Sequence, residues 1–143
     1  MKAIVKSINI SDRKGIIKNP VEEAVFIEDF GIETDAHGGK GIRQVSLLAD
    51  ESIDKMRASG IELNSGMFAE NITTTGMELH TLKIGTRIKI GETIHEVSKI
   101  GKECHHGCAI KQQVGTCIMP TEGIFTIVIK GGKVKTNDEI AII

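Results

Sequence analysis

The chain has 143 residues, 18 Lys and Arg against 19 Asp and Glu, and a formal net charge of −1, a length that suits one domain over 1–143. That balance excludes a general nucleic-acid binder, which needs a cationic surplus to displace counterions from phosphates. The 40% of hydrophobic residues can fill a core, while no apolar run approaches the ~20 residues of a membrane span.

The first ten residues carry Lys2, Ile4, Lys6 and Ile8 on one parity, a mixed alternation that reads as an opening strand before a turn over 12–15. Pro20 marks a loop, 21–30 reads as a second strand and 42–48 as a third. A helix is predicted over 50–59: Asp50 is an N-cap type, Ile53 and Met56 share a face, and Gly60 stops it. From Leu82 onward, Ile88 and Ile90 alternate with Arg87 and Lys89 in a half-buried strand that turns near Gly91 into a second, forming a hairpin. The last strands are expected over 124–130 and 134–143, separated by Gly131-Gly132 and a turn at Thr136-Asn137-Asp138. With 24 Ile, 8 Val and 11 Thr against 5 Leu, the side chains favour pleated strands. Short strands, 16 Gly and one convincing helix predict a mainly β chain, a closed or nearly closed barrel with one or a few short helices, because closure removes exposed edges. Trp and Tyr are absent, so platforms for stacking single-stranded bases are scarce.

Three stretches carry reactive groups. In 31–44, Gly38, Gly39 and Gly41 free the backbone, and His37, Lys40 and Arg43 supply cationic donors, an arrangement suited to an anion such as phosphate or, equally, to a solvated turn. Asp35 can orient His37 or form a turn with its own backbone. This is neither a Walker loop nor a dinucleotide fingerprint, since the lysine position and the βαβ setting are wrong. In 66–73, Glu70 and Asn71 stand just before a strand, where Asn71 either donates to a ligand or closes the loop onto backbone.

The third stretch holds all the cysteines: Cys104 and Cys108 flank His105 and His106, and Cys117 follows before Met119-Pro120. An odd number of thiols argues against a disulfide framework. Lys102, His105, His106 and Lys111 favour the thiolate form that attacks sulfur or binds metal, although a cysteine can also be a small buried hydrophobe. A zinc site competes, but Cys-x3-Cys-x8-Cys departs from the usual two pairs of ligands. The opening residues lack the layout of a secretory signal, which leads to the expectation of a cytoplasmic protein.

Taken together, these blocks resemble the MOSC domain, found at the C-terminus of molybdenum cofactor sulfurases and as small stand-alone bacterial proteins. The resemblance rests on Gly31 to Gly39 with Arg43-Gln44-Val45-Ser46-Leu47-Leu48, on Gly66 with Phe68-Ala69-Glu70-Asn71-Ile72, on Leu82-Lys83-Ile84-Gly85 through Gly91, and on Cys104 through Cys108 with Gly123-Ile124-Phe125. It implies a barrel with a cleft for the pyranopterin molybdenum cofactor, or a thiol that carries sulfur as a persulfide, with pyridoxal phosphate among the ligands associated with such proteins. Cys104 and Cys108 are the two candidates for the family's late functional thiol and molybdenum ligand, either of which can match it, with Cys117 as a resolving partner. Asp35, His37, Gly38, Gly39, Lys40, Arg43, Gln44 and Asn71 match the positions that line the cofactor cleft. A sulfur transferase or a component of a molybdenum-dependent oxidoreductase follows from the likeness, with a persulfide donor, a cysteine desulfurase or a cofactor-synthesis enzyme as partner. The rival reading is a cofactor-free thiol redox or zinc-binding accessory protein. A third is a purely structural partner of a cofactor-synthesis enzyme.

Overall fold

The structure, a computed structural model, describes residues 3–13, 17–36, 38–58, 60, 62–101 and 122–143. Its strands are β1 (Ala3–Ile10), β2 (Asn19–Val21), β3 (Glu23–Ile27), β4 (Gly31–Ile32), β5 (Val45–Ala49), β6 (Ile72–Thr75), β7 (Arg87–Ile90), β8 (Thr93–Ile100), β9 (Ile124–Lys130), β10 (Gly132–Lys135) and β11 (Glu139–Ile142). Seven of them form a ring in the order β1, β11, β7, β8, β9, β5, β6. Pairing of Ala3 with Ile140 and Ile4 with Glu139 joins the first strand to the last and closes the barrel, as the strand-rich composition leads one to expect. β2 extends the wall beyond β1, and β10, β3 and β4 form a separate three-stranded sheet.

The mixed alternation of β1 has a local cause. Val5 pairs with Thr74 and Ser7 with Thr73, so Lys6 is an extra residue in a β-bulge. The bulge switches the inward parity, and Val5 and Ile8 are both fully buried. In β7 the expected alternation holds: Ile88 and Ile90 are buried while Arg87 and Lys89 are exposed. Inward side chains from Val5, Ile8, Leu47, Ile72, Val97 and Ile124, among others, make one continuous core.

Among the described residues the only parallel pairing in the barrel is β5 with β6, and the connection between them carries α1 (Asp50–Arg57), as a parallel pair requires a crossover. Ile53 and Met56 form its buried face, as the spacing predicts. Asp50, expected as the cap, is instead the first helical residue after Ala49, and its carboxylate pairs with Lys6 at 2.8 Å and Arg57 at 2.9 Å. The helix stops before Gly60, whose amide donates to the Arg57 carbonyl at 2.9 Å. Of the strand expected over 21–30, only β3 (Glu23–Ile27) and Val21 at the end of β2 are extended; 28–30 is a turn in which Asp29, with φ 52°, redirects the chain before β4. Pro20 lies inside β2, an edge strand where its missing N–H costs the sheet nothing. Among the described residues, no helix is long and apolar enough to cross a membrane.

Candidate functional site

The loop joining β4 to β5 begins from a tightly fixed base. Asp35 is buried, and one oxygen of its carboxylate receives the Lys18 ammonium at 2.7 Å and the Ser11 amide at 3.0 Å. Lys18 also donates to the Ser11 hydroxyl at 2.9 Å, and neither partner of the ion pair has more than 1% of its side chain exposed. The Gly38 amide donates to the Asp35 carbonyl at 3.2 Å and the Gly39 amide to the Phe30 carbonyl at 2.8 Å. A Cβ at Gly38 would run into the outer edge of the Phe30 ring, which would have to shift to admit it.

The loop ends at Gln44, which is buried and uses both ends of its amide. Its Nε2 donates to Asp29 Oδ1 at 2.8 Å and to the Gly41 carbonyl at 3.2 Å, while Oε1 accepts the Val128 amide at 2.9 Å. Between these fixed ends, Lys40 and Arg43 are exposed. The Arg43 guanidinium stands 5.8 Å from the centroid of Phe125, on β9, within cation–π range. The Ser98 hydroxyl of β8 donates to the Ile42 carbonyl. The cationic tip is thereby pinned across β8 and β9, the two strands that flank the cysteine-bearing stretch. Gly101 N donates to the Gly123 carbonyl at 2.6 Å, so the two ends of that stretch meet.

The second predicted loop, 66–71, is held from within. Asn71 Oδ1 accepts the Ser46 amide at 3.0 Å and its Nδ2 donates to the Asn9 carbonyl at 3.2 Å. Glu70 is buried and accepts the Gly66 amide at 3.0 Å, the Phe68 amide at 3.2 Å and the Thr73 hydroxyl at 2.7 Å. Burial pushes the Glu70 carboxyl above its usual value, and these hydrogen bonds offset only part of that rise. Gly66 takes φ +89°, and a Cβ there would strike the Lys18 carbonyl, so Lys18 touches this loop as well as the first. Its own amide donates to the Gly66 carbonyl at 2.9 Å.

Beyond the C-terminal end of β5 opens a cleft of about 390 Å³, lined in part by Ser52, Lys55, Met77, His80 and Glu122. Glu122 Oε1 accepts the Ser52 hydroxyl at 2.6 Å, and Lys55 lies 2.9 Å from Oε2. Burial raises the Glu122 carboxyl, but the bonds from Ser52 and Lys55 and the charges of Lys55 and His80 outweigh it and hold it below its usual value. His80 Nδ1 lies 3.9 Å from Oε1 and makes no hydrogen bond among the described residues. Among the described residues no group of three or more His, Cys, Asp or Glu is placed to hold a metal ion.

Of the predicted site residues, Asp35, Gln44 and Asn71 come to the feet of the two loops with their side chains bonded to the protein itself, and Lys40 and Arg43 lie exposed on the first loop. His37 and the predicted thiols Cys104, Cys108 and Cys117 lie outside the described residues.

A profile of the MOSC domain matches residues 33–141. The chain belongs to the MOSC domain family. Among solved structures, this MOSC domain is similar to YuaD from Bacillus subtilis, with a TM-score of 0.82 and 20% identity over 98% of this chain and 94% of that one. It is also similar to YiiM from Geobacillus stearothermophilus, with a TM-score of 0.75 and 17% identity over 99% of this chain and 75% of that one. YiiM from Escherichia coli gives a TM-score of 0.71 at 17% identity, over 100% of this chain and 70% of that one. At such identities the likeness is one of fold. No curated protein sequence matches significantly.

Two groups central to this MOSC domain are absent from the sequence reading. Lys18 has no local pattern that separates it from a solvated lysine, because its partner lies 17 residues on. His95 is fully buried, with Nε2 2.8 Å from the Thr93 hydroxyl and Nδ1 2.9 Å from the Thr126 hydroxyl. Burial lowers it to about 3, so it is a neutral bridge inside the wall. A histidine in the inward parity of a predicted strand, two positions from a threonine, is the one signal that could have found it.

Proposed function

We propose that this MOSC domain binds the pyranopterin molybdenum cofactor or carries sulfur bound for it. The family's association with that cofactor supports the reading, and one observation carries it: Arg43 stands over Phe125, on the strand that follows the cysteine-bearing stretch in the sequence. A cationic loop suited to a phosphate and a thiol-bearing stretch suited to sulfur or molybdenum thus share the same pair of strands. Both halves of such a cofactor have a matching group here, since a phosphate suits Lys40 and Arg43 and a soft dithiolene-bound metal suits thiolate.

In this proposal Arg43 and Lys40 hold the phosphate. The guanidinium is held against the Phe125 face and, carrying five donors in a planar fork, matches phosphate in two hydrogen bonds. Asp35, Gln44 and Asn71 act one step back, because their polar atoms are bonded to Lys18, Ser11, Val128, Ser46 and Asn9 and so fix the shape of the loops. The bound cofactor would supply two-electron redox chemistry at its metal.

Cys104 or Cys108 is the sulfur-bearing thiol of the proposal, with Cys117 as resolving partner. In the transfer step its thiolate attacks the outer sulfur of a donor persulfide, such as that of a cysteine desulfurase. The donor's S–S bond breaks, a new S–S bond forms on this chain, and the donor leaves as a thiolate, with no net oxidant consumed.

The test is to purify the chain from a host that makes the cofactor and to measure bound pterin, molybdenum and protein persulfide, then to repeat it for Cys104→Ser, Cys108→Ser and the double variant. Pterin, or a persulfide on one of these cysteines, is the expected result, and the double variant should lose the persulfide. A wild-type chain with neither, but with one zinc per chain, would replace this reading with that of a thiol and zinc accessory protein.

A further inference from the structure

We propose that Lys18 is a positioning residue whose buried pairing with Asp35 latches the cationic loop to the 66–71 loop and sets the shape in which Lys40 and Arg43 are presented. The latch stands on geometry alone; only the identity of the anion rests on the function proposed above.

Lys18 reaches both loops. Its ammonium bonds Asp35 at 2.7 Å and Ser11 at 2.9 Å, and its backbone exchanges close contacts with Gly66. Gly66 in turn is tied to Glu70 at 3.0 Å, so a chain of contacts runs from Asp35 through Lys18 to the buried carboxylate of the second loop. Asp35 is locked in one orientation by Lys18 and the Ser11 amide, and the next residue returns the contact, Ala36 N donating to the Ser11 carbonyl at 2.9 Å. From there the Gly38 and Gly39 bonds lead into the exposed segment that holds Lys40 and Arg43.

Stability is a poor explanation for this pair. With both side chains at most 1% exposed, desolvation offsets most of the attraction, and apolar groups of similar volume would fill the space as well. What apolar groups cannot supply is direction: one oxygen of Asp35 bound from two sides. The distinct contribution of the pair is the orientation of the turn that follows it.

The experiment uses the full chain and three forms: wild type, Lys18→Met, and Lys18→Met with Asp35→Leu. Three quantities are read: the urea midpoint, hydrogen exchange at Ala36, Gly38 and Gly39, and binding of inorganic phosphate by titration calorimetry. Lys18→Met takes its ion pair with Lys18 from the buried Asp35 carboxylate and should lower the midpoint. The double variant should regain a midpoint at or above that of wild type, yet exchange these amides about tenfold faster or more and bind phosphate about tenfold more weakly. A merely structural pair moves midpoint and exchange together, so wild-type exchange in the double variant overturns the proposal. So does failure of the double variant to fold, which would make the pair a requirement of stability. Should wild type bind no phosphate, the function proposed above loses its anion while the exchange data still decide the latch.

Discussion

The side chain of Asn71 holds the backbone amide of Ser46 at 3.0 Å, while the Asn71 amide itself lies 3.0 Å from the Ser46 hydroxyl. This reciprocal pairing locks the 66–71 loop to the start of β5 just before β6 begins. Asn71→Ala removes the acceptor for Ser46 and the donor to Asn9, leaving both backbone groups unsatisfied in a buried site. A loss of about 2–4 kcal/mol is expected in urea unfolding. A midpoint like that of wild type would show that the loop is held by other contacts.

Gly66→Ala is expected to cost at least about 2 kcal/mol or to prevent folding. The position demands φ +89°, and the new methyl would meet the Lys18 carbonyl, which is backbone and cannot swing aside. Gly85→Ala is the control: its φ is +95°, but open space surrounds it. That variant should lose only the cost of the conformation, about 1–2 kcal/mol. Equal losses at the two sites, read by thermal and urea unfolding, would contradict the close approach at Gly66.

Acid should destabilise this protein through His95. Folded, it titrates at about 3 against 6.5 when unfolded, so between those values the unfolded chain holds a proton that the native barrel refuses. Stability therefore falls as pH drops below 6.5, by up to about 1.4 kcal/mol per pH unit. Glu70 works in the opposite sense, since its raised value makes the native state hold the extra proton and stability decline as pH rises above 4.5. Asp50 and Glu122 are lowered, so their contribution is present above the ordinary carboxylate range and lost in stronger acid. His95→Gln, neutral throughout, isolates the histidine. The wild-type slope between pH 6.5 and 4.5 should exceed that of the variant, and parallel curves would mean that His95 gains its proton without opening the barrel.

Much of the fold is legible in the residues themselves. Ile88 and Ile90 alternating with Arg87 and Lys89, the glycines at the turns, and Ile53 with Met56 on one helical face each act locally, and local rules read them. The closure of Ala3 onto Ile140 is a contact across nearly the whole chain, and nothing near either residue specifies it. The bulge at Lys6 is hidden for a related reason: an extra residue reverses the inward parity, so the pattern of β1 looks confused until its partner is known. In the site, a motif conveys the kinds of side chain present but not where they point. Asp35, Gln44 and Asn71 have the chemistry of ligand groups, yet each is turned into the protein and bonded to backbone and neighbouring side chains. Lys18 itself is invisible in sequence because a buried lysine differs from an exposed one only in its distant partners. Arg43 and Lys40 keep the exposure that a loop of glycine and cations implies.

The measurement that bears most directly on the proposed cofactor role is the pterin retained by the purified chain when the exposed cations of the loop are removed. Fluorescence of the oxidised pterin released from wild type, from Lys40→Ala with Arg43→Ala, and from Arg87→Ala separates the loop from charge elsewhere, since Arg87 is an exposed cation on β7 paired with Glu96. The account predicts pterin on wild type and Arg87→Ala and about tenfold less on the double loop variant. Equal pterin on all three, or none on wild type, would contradict cofactor binding at this loop and leave only the sulfur-carrying role to be decided by the persulfide measurement.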